Sequence, residues 1–219
     1  MDNDDQYRLA DWEDLALSHA GEKLRSPLQS ALLFDRRISR IVLTASEPAL
    51  GQLKLAWWRE ELAKAHSEPN RSLPDPLLAA LSETWRAGVQ PLHLLIDGWE
   101  SQLPGEEEED ASEGLATARA AVFSHLAKQC GYEQASFAAA RHGRVWAFAE
   151  LAQLSGGSDG QALERGLEEA RGLSQLPREL RSLAVIGGLS RRSLRRGGKP
   201  MFGDRWSPFA AIRLGIFGS

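Results

Sequence analysis

Cysteine is almost missing from this chain. A single Cys130 among 219 residues excludes an internal disulfide and any four-thiolate zinc centre, and it suits a reducing compartment. Long apolar runs are missing too: the longest, "LAVIGGL", falls far short of the roughly 20 residues that cross a bilayer. The opening "MDNDDQYRLADWED" is acidic and has no apolar core, so it reads as neither a secretory signal nor an arginine-rich transit peptide. A net charge of −4 gives no general attraction for nucleic acid. His19, His66, His93, His125 and His142 stand at no metal-ligand spacing, and no Gly-x-Ser-x-Gly elbow is present. The glycines of "SGGSDG" (155–160) follow no strand and precede no Gly-Lys-Ser/Thr, so they cradle no phosphate. "PGEEEED" (104–110) lacks the Asn and Gly of a calcium loop and reads as a solvated connection. These exclusions leave a cytoplasmic globular protein, one domain over residues 1–219.

What is present is helix punctuation. Ser26-Pro27, Asp75-Pro76 and Ser207-Pro208 repeat the pattern of a capping side chain with proline in the first turn, and Ser46-Glu47-Pro48 is a variant. The periodicity predicts about ten helices, at 6–19, 27–45, 47–66, 76–87, 91–103, 112–130, 132–154, 159–173, 177–196 and 208–216, with no strand. The expected class is an all-α bundle.

Two helices are informative. On 27–45, Leu28, Ala31, Leu32, Phe34, Ile38 and Val42 share a face opposite Arg36, Arg37 and Arg40. Asp35 and Ser39 fall inside that apolar face, and a buried acid needs a partner or a proton. On 47–66, Leu50, Leu53, Trp57, Leu55, Trp58 and Leu62 spread around the circumference, which predicts a central helix whose tryptophans Trp57 and Trp58 fill separate gaps. Ser46 is expected to cap it.

The segment "LLFDRRISRIVLTASEPALGQLKLAWWREEL" (32–62) resembles the squalene and phytoene synthase family, in which an "LxAF" helix precedes "SEPxLGxIRLQWWR". "LLIDGWESQL" (94–103) is similar to that family's "LIEGxExDL", "ARHGRVWAFAELAQL" (140–154) stands where the family carries "GxAxQLTNILRD", and "LPRELRSLAVIGGLSRRSLRRG" (176–197) resembles its last helices. The resemblance implies the isoprenoid-synthase fold, helices around a central cavity. It also implies chemistry: ionising an allylic diphosphate takes Mg²⁺, held in the family by two Asp-x-x-x-Asp pairs on facing helices.

Those pairs are not found. The first falls on Ser39 and Leu43, or one turn earlier on Asp35 and Ser39; the second falls on Leu154 and Ser158, with Glu150 where asparagine is usual and Ala56 in place of the glutamine of "LQWW". The expectation is a degenerate, non-catalytic scaffold or assembly factor with no cofactor, by analogy with the complex I assembly-factor branch of the family. The alternatives are a Mg²⁺-dependent prenyltransferase acting on farnesyl or geranylgeranyl diphosphate and a membrane-surface or lipid-binding module. Three or more carboxylates lining a central cavity would favour the enzyme; two or fewer would not. The vestigial-pocket candidates are Asp35, Ser39, Leu43, Trp57, Trp58, Asp97, Glu100, His142, Trp146 and Glu150. The last three include an i, i+4, i+8 stripe, and Asp97 with Glu100 form the best residual acid pair. The basic segment 178–213 supplies a candidate patch for an anionic membrane or a protein partner at Arg191, Arg192, Arg195 and Arg196, with attachment to a membrane surface as the variant of a cytoplasmic location. Nucleic acid is disfavoured, since Phe202, Trp206 and Phe209 follow the basic run instead of interleaving with it.

Overall fold

The computed structural model describes residues 8–68, 72–103, 111–157 and 160–202. Among these, every regular element is helical: α1 (Asp11–Ser18), α2 (Glu22–Leu43), α3 (Pro48–Ser67), α4 (Pro76–Thr84), α5 (Gln90–Glu100), α6 (Ala111–Gln129), α7 (Ser136–Leu154), α8 (Gly160–Arg171) and α9 (Arg181–Arg195), with 3-10 turns at Glu133–Ala135 and Arg178–Leu180. The all-α expectation holds. The expected helix 208–216, the Ser207-Pro208 start and the acidic connection 104–110 lie outside the described residues.

The punctuation was read correctly at one proline and misread at another. Asp75 caps α4 as expected, its Oδ1 accepting the Leu77 amide at 2.8 Å. Pro27 does not start a helix: α2 begins at Glu22 after Gly21 and carries Pro27 inside it. The helix there tolerates the ring, and the Pro27 carbonyl accepts from the Ser30 hydroxyl at 3.1 Å and the Trp85 indole at 3.2 Å. Ser46 does not cap α3 either. The N-cap is Glu47, which makes no side-chain cap bond, and Pro48 is the first helical residue.

The central helix is α7, not α3. Ten of the nineteen residues of α7 are buried, on all sides, and it packs against α6, α8 and α9. α3 buries one side, through Gly51, Leu55, Trp58, Leu62 and Ala65, and leaves Leu50, Leu53 and Trp57 exposed. Its apolar residues do spread around the circumference, but among the described helices its main contacts are with α2, α4 and α5.

Two glycines set the spacing around α6. A Cβ on Gly98 of α5 would lie 2.9 Å from the Leu115 Cα, and one on Gly143 of α7 would lie 2.4 Å from the Arg119 carbonyl oxygen. Any larger residue would push the backbones apart. α6 is therefore held close from both flanks, with Trp99 beside the first glycine and Trp146 one turn past the second.

Candidate functional site

A cavity of about 430 Å³ opens between α1, α2 and α7. α1 contributes Trp12 and Glu13, α2 contributes Asp35, Ser39, Arg36, Arg37 and Arg40, α7 contributes Trp146, Glu150 and Gln153, and Pro200–Phe202 close one side. Trp12 meets Trp146 edge-on at 6.0 Å between centroids, which ties α1 to the wall.

The cavity floor is an ion triad. Nη2 of Arg119, from α6, donates to Asp35 Oδ2 on α2 at 2.6 Å and also to Glu150 Oε2 on α7. The Arg119 side chain is 0% exposed, Asp35 4% and Glu150 25%. The indole Nε1 of Trp99 donates to the other Asp35 oxygen at 2.6 Å. The guanidinium is stacked as well: its Cζ lies 3.7 Å from the Trp146 ring centroid and 5.4 Å from that of Trp99. Burial alone would depress the guanidinium, but Asp35 and Glu150 hold it above the ordinary arginine value. Burial pushes Glu150 above the ordinary carboxylate range, and Arg119 opposes that rise.

Glu13 is the third acid of the cavity. Its Oε2 accepts the Ala10 amide at 2.6 Å, which starts α1, and Arg36 Nη1 at 3.1 Å. Burial lifts it from 4.5 to about 7, against the pull of that amide and of Arg36.

Residues 14–142, more than half of the chain, match the sequence profile of the squalene/phytoene synthase family. The chain belongs to that family. Neither a curated protein nor a solved structure matches it. As a squalene/phytoene synthase family protein it has the expected architecture, since its all-α bundle is consistent with the isoprenoid-synthase type. The match ends just before Gly143, short of Glu150 and of the α7 stretch where the second acid pair would stand.

The family implies Mg²⁺, and the donors of this chain do not fit a cluster of it. Mg²⁺ takes about six oxygen ligands in near-octahedral geometry. Asp35 and Glu150 already share the Arg119 nitrogen, Glu13 serves Ala10 and Arg36, and the Ser39 hydroxyl donates to the Arg36 carbonyl at 3.1 Å. Leu43 lines the mouth with no oxygen in its side chain; Leu154 is exposed at the end of α7, and Ser158 lies outside the described residues. Among the described residues no three Asp, Glu, His or Cys are placed to hold a metal ion.

Asp35, Ser39, Leu43, Trp146 and Glu150 thus meet at one cavity. The remaining candidates lie elsewhere. Trp58 is buried beside Phe34 with Arg37 at 5.6 Å over its ring, while Trp57 is exposed and only edges onto Trp58, so it fills no gap between helices. Asp97 and Glu100 both hold Arg59, the first from Nη2 at 2.6 Å, in an exposed cross-link between α5 and α3. His142 leaves the stripe it was assigned to: it turns away from the cavity, its Nε2 3.0 Å from the Ser174 carbonyl and its Nδ1 close over Gly187. Arg195 is exposed at the end of α9, whereas Arg191, Arg192 and Arg196 are half-buried and interact with other groups of the chain.

The residues that organise the site went unnoticed in the sequence. Arg119 sits in the middle of the α6 stripe Leu115, Ala116, Val122, Phe123 and Leu126, all buried. Glu13 lies likewise among Leu9, Ala16 and Leu17. One charged residue at the centre of an apolar stripe was the readable signal in both cases, and Asp35 was its complement on α2.

Proposed function

We propose that this squalene/phytoene synthase family protein is catalytically silent and acts as a scaffold or assembly factor. The observation that supports this is Arg119. A diphosphate-ionising site needs its inward acids free to hold divalent cations, and here an internal guanidinium spans the two that face each other from α2 and α7. The contact is buried, stacked and shared with the Trp99 indole, so the cation is fixed by packing as well as by charge.

Three carboxylates do line the cavity, and on number alone they favour the alternative, a Mg²⁺-dependent prenyltransferase. Their charge is answered from within the chain, two by Arg119 and one by Arg36, which weighs against it. The deciding experiment incubates the full chain with farnesyl or geranylgeranyl diphosphate and Mg²⁺ and follows diphosphate release. The expected result is no release above the protein-free rate; release at an enzymatic rate overturns the proposal.

A further inference from the structure

The first half of α3 carries an apolar face that the described bundle leaves open. Leu50, Leu53 and Trp57 recur at i, i+3 and i+7, one stripe of a helix. They are 49%, 68% and 40% exposed. Ala49 and Ala56 are exposed beside them, and from Pro48 to Arg59 the helix contains no acid; its exposed charge there is Lys54. The acids that bound the stretch are Glu47 at the N-cap and Glu60, the latter held by Lys64 at 2.5 Å.

α2 runs alongside α3. Arg37 lies over Trp58, and a Cβ at Gly51 would touch the Ala45 Cβ at 3.3 Å, so the two helices run antiparallel and Arg40 comes level with the turn of Lys54. Arg40 is exposed, and so is Leu43 at the rim of the cavity. Aliphatic side chains and a tryptophan, rimmed by long cationic side chains, are the chemistry that settles into an anionic lipid interface: the apolar groups enter the acyl boundary while the cations reach the headgroups.

We propose that the face of α3 formed by Leu50, Leu53 and Trp57, with Lys54 and Arg40 at its edge, docks this protein on an anionic membrane surface. Among the described residues no helix is long and apolar enough to cross a membrane. The basic end of α9 is the poorer anchor, because Leu183, Leu189 and Leu194 behind its arginines are buried and offer no apolar group to insert. This inference is independent of whether the cavity is catalytic.

The test is cosedimentation of the full chain with phosphatidylcholine vesicles, with and without phosphatidylserine. The protein is expected to pellet with the phosphatidylserine vesicles in a salt-sensitive manner. Leu53→Gln with Trp57→Gln should lower the bound fraction about tenfold, as should Lys54→Glu with Arg40→Glu. All four positions are exposed, so melting curves are expected to match the parent. Brominated acyl chains should quench part of the indole emission, and that part should vanish in Trp57→Phe. No pelleting with anionic vesicles overturns the proposal, as does binding that survives the α3 variants or is lost only in Arg191→Glu with Arg192→Glu. A concentration-dependent dimer abolished by the Leu53 and Trp57 changes also overturns it, by giving this face to a second copy of the chain.

Discussion

Methionine at position 119 would keep most of the arginine's length and remove its charge. Asp35, 4% exposed, would then keep only the Trp99 indole, and Glu150, 25% exposed, would lose its cation. Breaking a buried pair by removing one partner costs about 3–5 kcal/mol, because the other charge stays behind. The stacking of the guanidinium on Trp146 adds to the loss, while water reaching Glu150 from the cavity subtracts from it. For a domain of this size, 1 kcal/mol moves Tm by about 2–4 °C, so Arg119→Met should melt about 6–20 °C lower than the parent. The deficit should also depend on pH. Burial raises Glu150 and Arg119 opposes the rise, so without Arg119 the folded state holds the Glu150 proton more tightly still. A group raised in the folded state gives stability at low pH that is lost as pH climbs through its folded value, so the deficit should be smallest in acid and grow toward neutrality. Adding Asp35→Asn and Glu150→Gln to Arg119→Met should recover much of the loss. Calorimetry over a pH series checks all three statements. A shift below about 1 kcal/mol, or one that is the same at every pH, would refute the view that Arg119 is the counter-ion of two buried acids.

Three further outcomes follow from the same structure. Glu13, lifted from 4.5 to about 7 by burial, stabilises the fold below pH 4.5 and loses that contribution as pH rises to 7; relative to Glu13→Gln, the parent should lose about 3 kcal/mol over that window, and parallel pH profiles would contradict it. His142, lowered from 6.5 to about 4 by burial, has the opposite sign: the parent should lose up to about 3 kcal/mol relative to His142→Gln as pH falls from 6.5 to 4, measured by urea unfolding at each pH. Gly143→Ala places a methyl against the Arg119 carbonyl and should cost at least about 2 kcal/mol, whereas a stabilised variant would mean that α6 and α7 can separate freely.

Much of the fold was legible because helices announce their ends and faces locally. Asp75-Pro76 capped α4 as its residues require, and the burial of Leu28, Ala31, Leu32, Phe34, Ile38 and Val42 followed from their spacing. Pro27 was misplaced because a proline is tolerated near either a helix start or the end of its first turns, and Gly21 gave the weaker local signal. The centrality assigned to α3 failed for another reason: an apolar circumference shows what a helix can bury, and the neighbours decide what it does bury. At the site, Asp35 was recognised as an acid in need of a partner. The partner stands on α6, 84 residues along the chain, and no local period links the two. His142 shared the helical stripe of Trp146 and Glu150, yet Gly187 on α9 offered it room on the other side.

The glycines flanking α6 bear on how far the cavity beside Arg119 could be widened. Deleting the guanidinium would leave a slot between two indole planes, narrow and mostly greasy, where a hydrated cation and a diphosphate require width and many oxygens. Widening it means moving α5 and α7 outward, and with Gly98 and Gly143 seated directly on the α6 backbone, that demands a different set of contacts along three helices. A single substitution at position 119 therefore leaves the width of that slot to the three helix backbones.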